Sequence, residues 1–222
     1  MSRAGDESPQ SGYNAHRMKR ASHWLERSRN AEAEEEKFLF LWIAYGAAYG
    51  GEARDTDEER PAETSRITNF LREIIERDEG QKLEAVLFVK HTEGIRTLLD
   101  SRYTFKPFWQ WARGEPEGAD WRRRFEADNE RAAKALENRD TLAVLIRILR
   151  RLHELRGQIL HGGLTTAERR VRTLLGDATR IMADFVAVVL EIMKAEFDAN
   201  PASEAWGRAA RPHVGDNGHE RA

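Results

Sequence analysis

An arginine and a histidine five positions apart, Arg156 and His161, stand in the stretch Leu155-Arg156-Gly157-Gln158-Ile159-Leu160-His161-Gly162-Gly163. Their side-chain types define a chemistry. A guanidinium stays charged and presents a planar fork of donors that matches phosphate oxygens, while an imidazole titrates near neutrality and can accept a proton from a hydroxyl. Together they are a minimal kit for cutting RNA through its own 2′-OH. A base takes the hydroxyl proton, the oxygen attacks the adjacent phosphorus, and a cation stabilises the charge building on the phosphoryl oxygens. His161 suits the first role and Arg156 the second. The spacing alone is weak evidence, because a short motif recurs by accident in a chain rich in arginine with seven histidines. Arg208 and His213 repeat it, and Arg17 with His23 and Arg147 with His153 match it with one further residue between. Context has to separate them.

The elements that would position the pair read as helices. Leu142, Leu145, Ile146, Leu149, Leu152 and Ile159 form a stripe that predicts a long helix from about Asn129 or Asp140 to Leu160, stopped by Gly162-Gly163. Five positions rotate about 140° around a regular helix, so Arg156 and His161 do not share one face. Either the helix has ended before His161, or a second chain supplies part of the site. A closing helix follows from near Thr166, with Val171, Leu174, Leu175, Ala178, Ile181, Met182 and Phe185 leading a stripe that reaches Phe197. Near the other end, a segment from about Ala21 to Tyr49 finishes in Phe38-Leu39-Phe40-Leu41-Trp42-Ile43-Ala44-Tyr45-Gly46-Ala47-Ala48-Tyr49. That run is apolar on nearly all faces and predicts the buried end of a central helix, packed against the 166–197 helix and closed by Gly50-Gly51.

Between these lie an acidic loop from Glu52 to Glu63, a capped helical pattern from Ser65 to Ile75, and a shorter one from Leu83 to Val89. From Thr92 to Ala127 the pattern breaks up around Tyr103, Phe105, Phe108, Trp109, Trp111 and Trp121, which reads as an irregular insertion packed on the core. No segment alternates as a strand and no repeat is present. The expected fold is an all-α helical bundle over residues 17–199, with disordered tails over 1–16 and 200–222, where Gly, Ser, Pro, Asn and charge dominate.

Two fragments together resemble the HEPN superfamily, in particular its Apea-like branch: the Phe38-to-Gly50 run of the first helix and the Leu155-to-Gly163 stretch before the last. The resemblance spans residues of about 21 to 197. It implies a helical bundle, usually homodimeric, and in many members a metal-independent endoribonuclease serving as a toxin or in antiphage defence, with the Arg and His of two protomers meeting in a shared cleft. Those roles fall on Arg156 and His161. The chain departs from the common pattern at Gly157, where a polar residue, often Asn, usually follows the Arg, and at Gly46, where relatives often carry Asn. Both departures remove a hydrogen-bonding side chain, which keeps a second reading open: a catalytically inactive HEPN module that binds RNA, nucleotide or a protein partner.

The net charge of −2 over 222 residues gives no global attraction to nucleic acid, so affinity must come from a local patch. Arg147, Arg150, Arg151, Arg156, Arg169, Arg170 and Arg172 outnumber Glu154 and Glu168 in one stretch. Arg147, Arg150, Arg151, Arg169 and Arg170 are the candidate RNA-binding residues; the alternative is a solvated helix face. Trp109, Trp111 and Trp121 beside Arg122-Arg123-Arg124 could stack bases, or fill a core under the insertion. Other chemistries find little support. No Gly-rich phosphate loop follows a strand, no cysteine exists, the histidines lack H-E-x-x-H spacing, and Glu32, Glu34, Glu35 and Glu36 read as a solvated helix surface. No metal and no cofactor are therefore expected. No apolar run is long enough to span a membrane, no secretory h-region is seen, and a cytoplasmic location is the expectation. The partners expected are RNA, a second copy of the chain, and an antitoxin or defence-system protein.

Overall fold

The apolar stripe beginning at Val171 folds as one helix, α9 (Arg169–Ala199), which buries one broad face from Val171 to Met193. At 31 residues it is about 46 Å long, and α1 to α5 pack against it. The computed structural model describes residues 9–50 and 63–200. Among them every regular element is helical and none is a strand.

The N-terminal part is a helical hairpin rather than one helix. α1 (Pro9–Asn30) and α2 (Glu34–Tyr49) are separated by residues 31–33 and pack along each other. The expected continuous segment from Ala21 is thus broken just before Glu34, Glu35 and Glu36, whose carboxylates fill the first turn of α2 and favour its positive dipole end. Folding back has a packing reason: it lays Ala21 and Leu25 of α1 against the apolar run of α2. Of the expected tail over 1–16, residues 9–16 are instead the start of α1, which buries Asn14, and 1–8 lie outside the described residues. Composition concealed this because the buried groups are polar. Arg17, fully buried, donates from Nε and Nη2 to the Ala48 carbonyl near the C-terminus of α2, and its Nη1 bonds Asn14 Oδ1. A cation there satisfies an end carbonyl and complements the negative dipole end. Gly50 ends α2 at φ +76°, its N–H returning to Gly46 O.

α2 packs on α9 as expected, burying Phe38, Leu41, Ala44, Tyr45 and Ala48. The run is not buried all round: Ile43 remains 41% exposed. α3 (Glu63–Glu76) starts two residues before the expected Ser65 and buries Phe70, Leu71 and Ile74. The acidic loop expected from Glu52 lies, up to residue 62, outside the described residues, as do 201–222 of the expected C-terminal tail.

α4 (Lys82–Ala85) is capped by the Asp78 carboxylate, which accepts from the N–H groups of Lys82 and Leu83, and runs directly into a π-helical turn at Val86–Lys90. That turn brings Lys90 and His91 onto Asp184 of α9. The region from Thr92 to Ala127, expected to be irregular, is a chain of short helices: α5 (Thr92–Leu99), a 3₁₀ turn at Arg102–Thr104, α6 (Lys106–Ala112), a second 3₁₀ turn at Pro116–Gly118, and the start of α7 (Trp121–Glu137). Phe105, Phe108, Trp109, Trp111, Trp121 and Phe125 meet edge-on or tilted and give this insertion an aromatic core of its own. Gly118 permits its closest approach, because a Cβ there would stand 2.0 Å from the Trp111 backbone nitrogen.

α8 (Thr141–Leu160) begins where Asp140 accepts from Ala143 N at 2.9 Å, so of the two expected starts the Asp140 one holds, and Asn129 belongs to α7. α2, α3 and α5 each touch both α8 and α9 and form the layer between them.

Gly118→Ala is expected to lower stability by at least about 1–3 kcal/mol, as overpacking does when the obstacle is backbone, measured by urea denaturation. Asp184 supplies a pH test. Its burial acts to raise the carboxyl, but hydrogen bonds and charge from Lys90 and His91 outweigh that and hold it below the ordinary aspartate value of 3.8. A depressed folded value means the stabilisation is present above that range and is lost as pH falls through it. Wild-type stability should therefore drop more steeply below pH 4 than that of Asp184→Asn, followed by urea midpoints across an acid series.

Candidate functional site

α8 places the candidate residues by its register. Val144, Leu145, Ile148, Leu149, Leu152 and Leu155 make its buried face, and Arg151 is buried among them at 2% exposure. A charge so placed requires partners. Nη2 of Arg151 donates to Asp128 Oδ2 at 2.9 Å and Asn129 Oδ1 at 3.1 Å, both from α7. Its guanidinium carbon stands 4.7 Å from the ring centre of Phe105 and 5.1 Å from that of Phe125. Burial pushes the Arg151 guanidinium below its ordinary value, against the pull of the Asp128 and Asp100 charges. Nη1 of the same residue is buried without a hydrogen-bond partner. One turn earlier, Arg147 donates from Nη1 to Ala143 O at 3.0 Å, and its Nε is likewise buried and unpartnered.

Arg147, Arg150 and Arg151 line a cleft of about 1040 Å³ bounded by α2, α3, α6, α7 and α8. Lys106 from α6 and Arg123, Arg124 and Arg131 from α7 face the same space, against the carboxylates of Glu117, Asp128 and Glu154. Of those, Asp128 is engaged by Arg151, and Glu154 accepts from Gln158. The cleft is thus strongly cationic.

Arg156 and His161 lie beside it rather than in it. Arg156 is half-buried, its guanidinium carbon 5.1 Å from the Trp42 ring centre, and its Nε is buried with no hydrogen-bond partner. The same Trp42 ring meets the His153 ring edge-on at 5.8 Å, and both Trp42 and His153 line the cleft. His161 is the residue at which α8 ends: its N–H still bonds Gly157 O at 3.0 Å, Gly162 follows at φ +70°, and the imidazole is exposed with no side-chain partner among the described residues. Of the two possibilities raised by the angular argument, termination of the helix at the histidine is present.

The expected RNA-binding cluster divides in two. Arg169 and Arg170 are exposed at the start of α9 and line a second cleft of about 660 Å³, with Arg102, Arg122, Trp121 and Thr173; no residue lines both clefts. The reason is the 161–168 connection. It carries the chain from α8 to α9 across the intervening layer, and it is pinned by Thr166 Oγ1 donating to Glu35 Oε1 at 2.6 Å, a bond that lowers the Glu35 carboxyl from its ordinary value. Neighbours in sequence are therefore separated in space. α9 starts at Arg169, three residues after the expected Thr166.

The aromatic residues resolve toward packing. Trp121 is buried, Trp109 donates Nε1–H to Tyr103 O at 2.8 Å, and Trp111 alone of the three is open, at 44% exposure, with Arg122 5.6 Å from its ring centre. Trp42 as a platform for Arg156, and the cations from α6 and α7, went unnoticed in the sequence. They come from separate elements and share no local spacing that could have flagged them. His153 had only its position on α8 as a signal.

The chain matches no family model, no curated protein and no solved structure. Among the described residues no helix is long and apolar enough to cross a membrane.

Arg151→Ala should destabilise the fold by about 3–5 kcal/mol, because it breaks a buried ion pair and empties the space between two rings, whereas exposed Arg150→Ala should change stability by no more than about 0.5 kcal/mol. Chemical denaturation of the two variants checks the contrast.

Proposed function

We propose that this protein is a metal-independent endoribonuclease of the HEPN type, working as a homodimer, in which Arg156 and His161 act on the scissile phosphate. The observation that carries the reading is the state of Arg156: a guanidinium seated on the Trp42 ring, with an unpartnered Nε, five positions before an exposed imidazole. A cation held by a flat aromatic surface keeps its orientation while donors remain for a ligand. The neutral His161 imidazole takes the 2′-OH proton, the 2′-oxygen bonds to phosphorus, and the bond to the 5′-oxygen breaks as that oxygen gains a proton from an imidazolium, so the products are a 2′,3′-cyclic phosphate and a 5′-hydroxyl. Arg156 stabilises the negative charge on the non-bridging oxygens as phosphorus becomes five-coordinate. Exposed arginines on the surface, Arg150, Arg169 and Arg170 among them, supply phosphate contacts on either side, with salt-sensitive affinity. The second copy provides the other imidazole if the ends of two α8 helices meet about a twofold axis, since an isologous contact brings a residue near the axis close to its own copy.

A second reading is favoured by the freedom of His161. With no partner to set its tautomer or orientation, and with Gly157 in place of a polar residue after the arginine, the chain would bind RNA or a protein partner without cutting. In a cell, either form would act within toxin–antitoxin or antiphage defence, in the cytoplasm.

Cleavage of an end-labelled RNA in EDTA, with end-group analysis, tests the mechanism. Wild-type protein should cut and leave a 2′,3′-cyclic phosphate, His161→Ala and Arg156→Ala should each lose on the order of 100-fold or more, and RNA methylated at the attacking 2′-OH should resist. Wild-type rates in His161→Ala with an unchanged helical CD spectrum would reject it. Inactivity of a folded wild-type dimer that still binds RNA would establish the second reading.

A further inference from the structure

We infer, resting on the RNA-cleavage reading above, that His153 is a second imidazole of the Arg156 site and acts as its general acid. The proton for the departing 5′-oxygen then comes from the same chain, in place of an imidazole from a second copy. Side chains on a helix lean toward its N-terminus and cover the preceding turn. Arg156 therefore reaches back along α8, and Trp42 marks where it arrives. The guanidinium carbon stands 5.1 Å from the centre of that indole ring, and the His153 ring meets the same indole edge-on at 5.8 Å. Residues three apart are neighbours on a helix surface, about 60° apart around the axis. His161, five positions on, is about 140° away. The imidazole that the fold sets beside the guanidinium is thus His153.

The reacting groups are reachable. His153 is exposed and lines the cleft of about 1040 Å³. Of the Arg156 nitrogens only Nε is buried without a partner, so the two Nη groups remain open to a phosphate. Transesterification adds a demand on placement. The 2′-oxygen enters and the 5′-oxygen leaves on opposite sides of phosphorus, so base and acid must flank the cation that holds the phosphate. His153 lies three residues before Arg156 and His161 five after it, about 4.5 and 7.5 Å along the axis. The two histidine backbones are therefore about 12 Å apart along α8. That gap is filled by a phosphodiester and two proton-transfer hydrogen bonds of about 2.6–3.2 Å each once the imidazoles turn inward. The exposed His161 ring, at the end of the helix, has the freedom to make that turn. In the reaction neutral His161 takes the 2′-OH proton as the 2′-oxygen bonds to phosphorus. The bond to the 5′-oxygen breaks, its electron pair stays on that oxygen, and the His153 imidazolium delivers a proton to it. Arg156 stabilises the charge on the non-bridging oxygens throughout, and exchange with water restores both imidazoles for the next turnover.

A leaving group that needs no proton separates a general acid from a residue that only shapes the site. The full chain is assayed in EDTA on a labelled RNA and on uridine 3′-(4-nitrophenyl phosphate), whose nitrophenolate departs unprotonated. His153→Ala should lose on the order of 100-fold on RNA, with a loss at least about tenfold smaller on the nitrophenyl ester. His161→Ala, which removes the base, should lose as much on both substrates. Co-expression of the two variants reads which chain supplies the acid. A site complete in one chain regains nothing in the mixture, whereas a site shared between copies recovers one intact pair in every mixed dimer. Where His153→Ala lowers the helical CD signal or the urea midpoint, His153→Gln, which keeps a polar side chain against Trp42, carries the same comparison. Wild-type RNA cleavage by a folded His153 variant, equal losses on RNA and ester, or recovery in the mixture would overturn the inference, while cleavage by the wild-type protein would still support the ribonuclease reading. A folded wild-type protein that cuts neither substrate would remove both.

Discussion

A helix that buries one continuous face from Val171 to Met193 must be covered along that whole length by other elements. Everything else in this fold follows from covering that face. α1 and α2 contact that face as a hairpin, and α3, α4 and α5 cover the rest of it. The continuous apolar run of α2 is legitimate only in this setting, since one of its faces meets α9 and another meets α1. α8 then has no room on α9 itself and packs on the outside of the intermediate layer, next to α3, α5 and α7. That displacement gives α8 its chemistry. A helix packed on one side only can present arginines along the rest of its surface.

Burial is less tolerant of charge than the surface is, and the two most buried arginines show two ways of meeting that demand. Arg17 uses the carbonyl end of α2 and an asparagine. Arg151 uses a carboxylate, an amide and two aromatic rings. The first arrangement joins two adjacent helices. The second joins α8 to α7 and to the aromatic insertion, so the insertion is anchored to the bundle at the wall of the cationic cleft.

The all-α class and the stripes of α8 and α9 were legible because Leu145, Leu149 and Leu152, or Leu174, Ile181 and Phe185, repeat at the helical period and are buried on the face that the period selects. The beginning of α1 was illegible for the converse reason: its buried face at Asn14 and Arg17 is polar. The hairpin break was illegible too, because charge in Glu32 to Glu36 reads equally as a helix surface and as a first turn. Of the candidate site, the identities of Arg147, Arg150 and Arg151 were readable as local basic density. Their union with Lys106 and Arg131 was not, being a product of tertiary packing, and neither was the separation of Arg169 and Arg170. The turn at Gly162 reverses the meaning of proximity along the chain. Trp42 illustrates the same limit, since nothing in an apolar run marks the one ring on which a distant arginine will rest.

The order of the elements along the chain has a temporal side. α2 ends at Tyr49 and α9, against which it is buried, begins at Arg169. On a ribosome adding about 5–20 residues per second, the intervening 119 residues take about 6–24 s. The hairpin of α1 and α2 is built from local contacts and closes early, yet Phe38, Leu41 and Tyr45 have no α9 to cover them for that whole interval. A nascent chain of this topology therefore presents the apolar face of α2 first and gains its cover last, so that face stays open to solvent for most of synthesis.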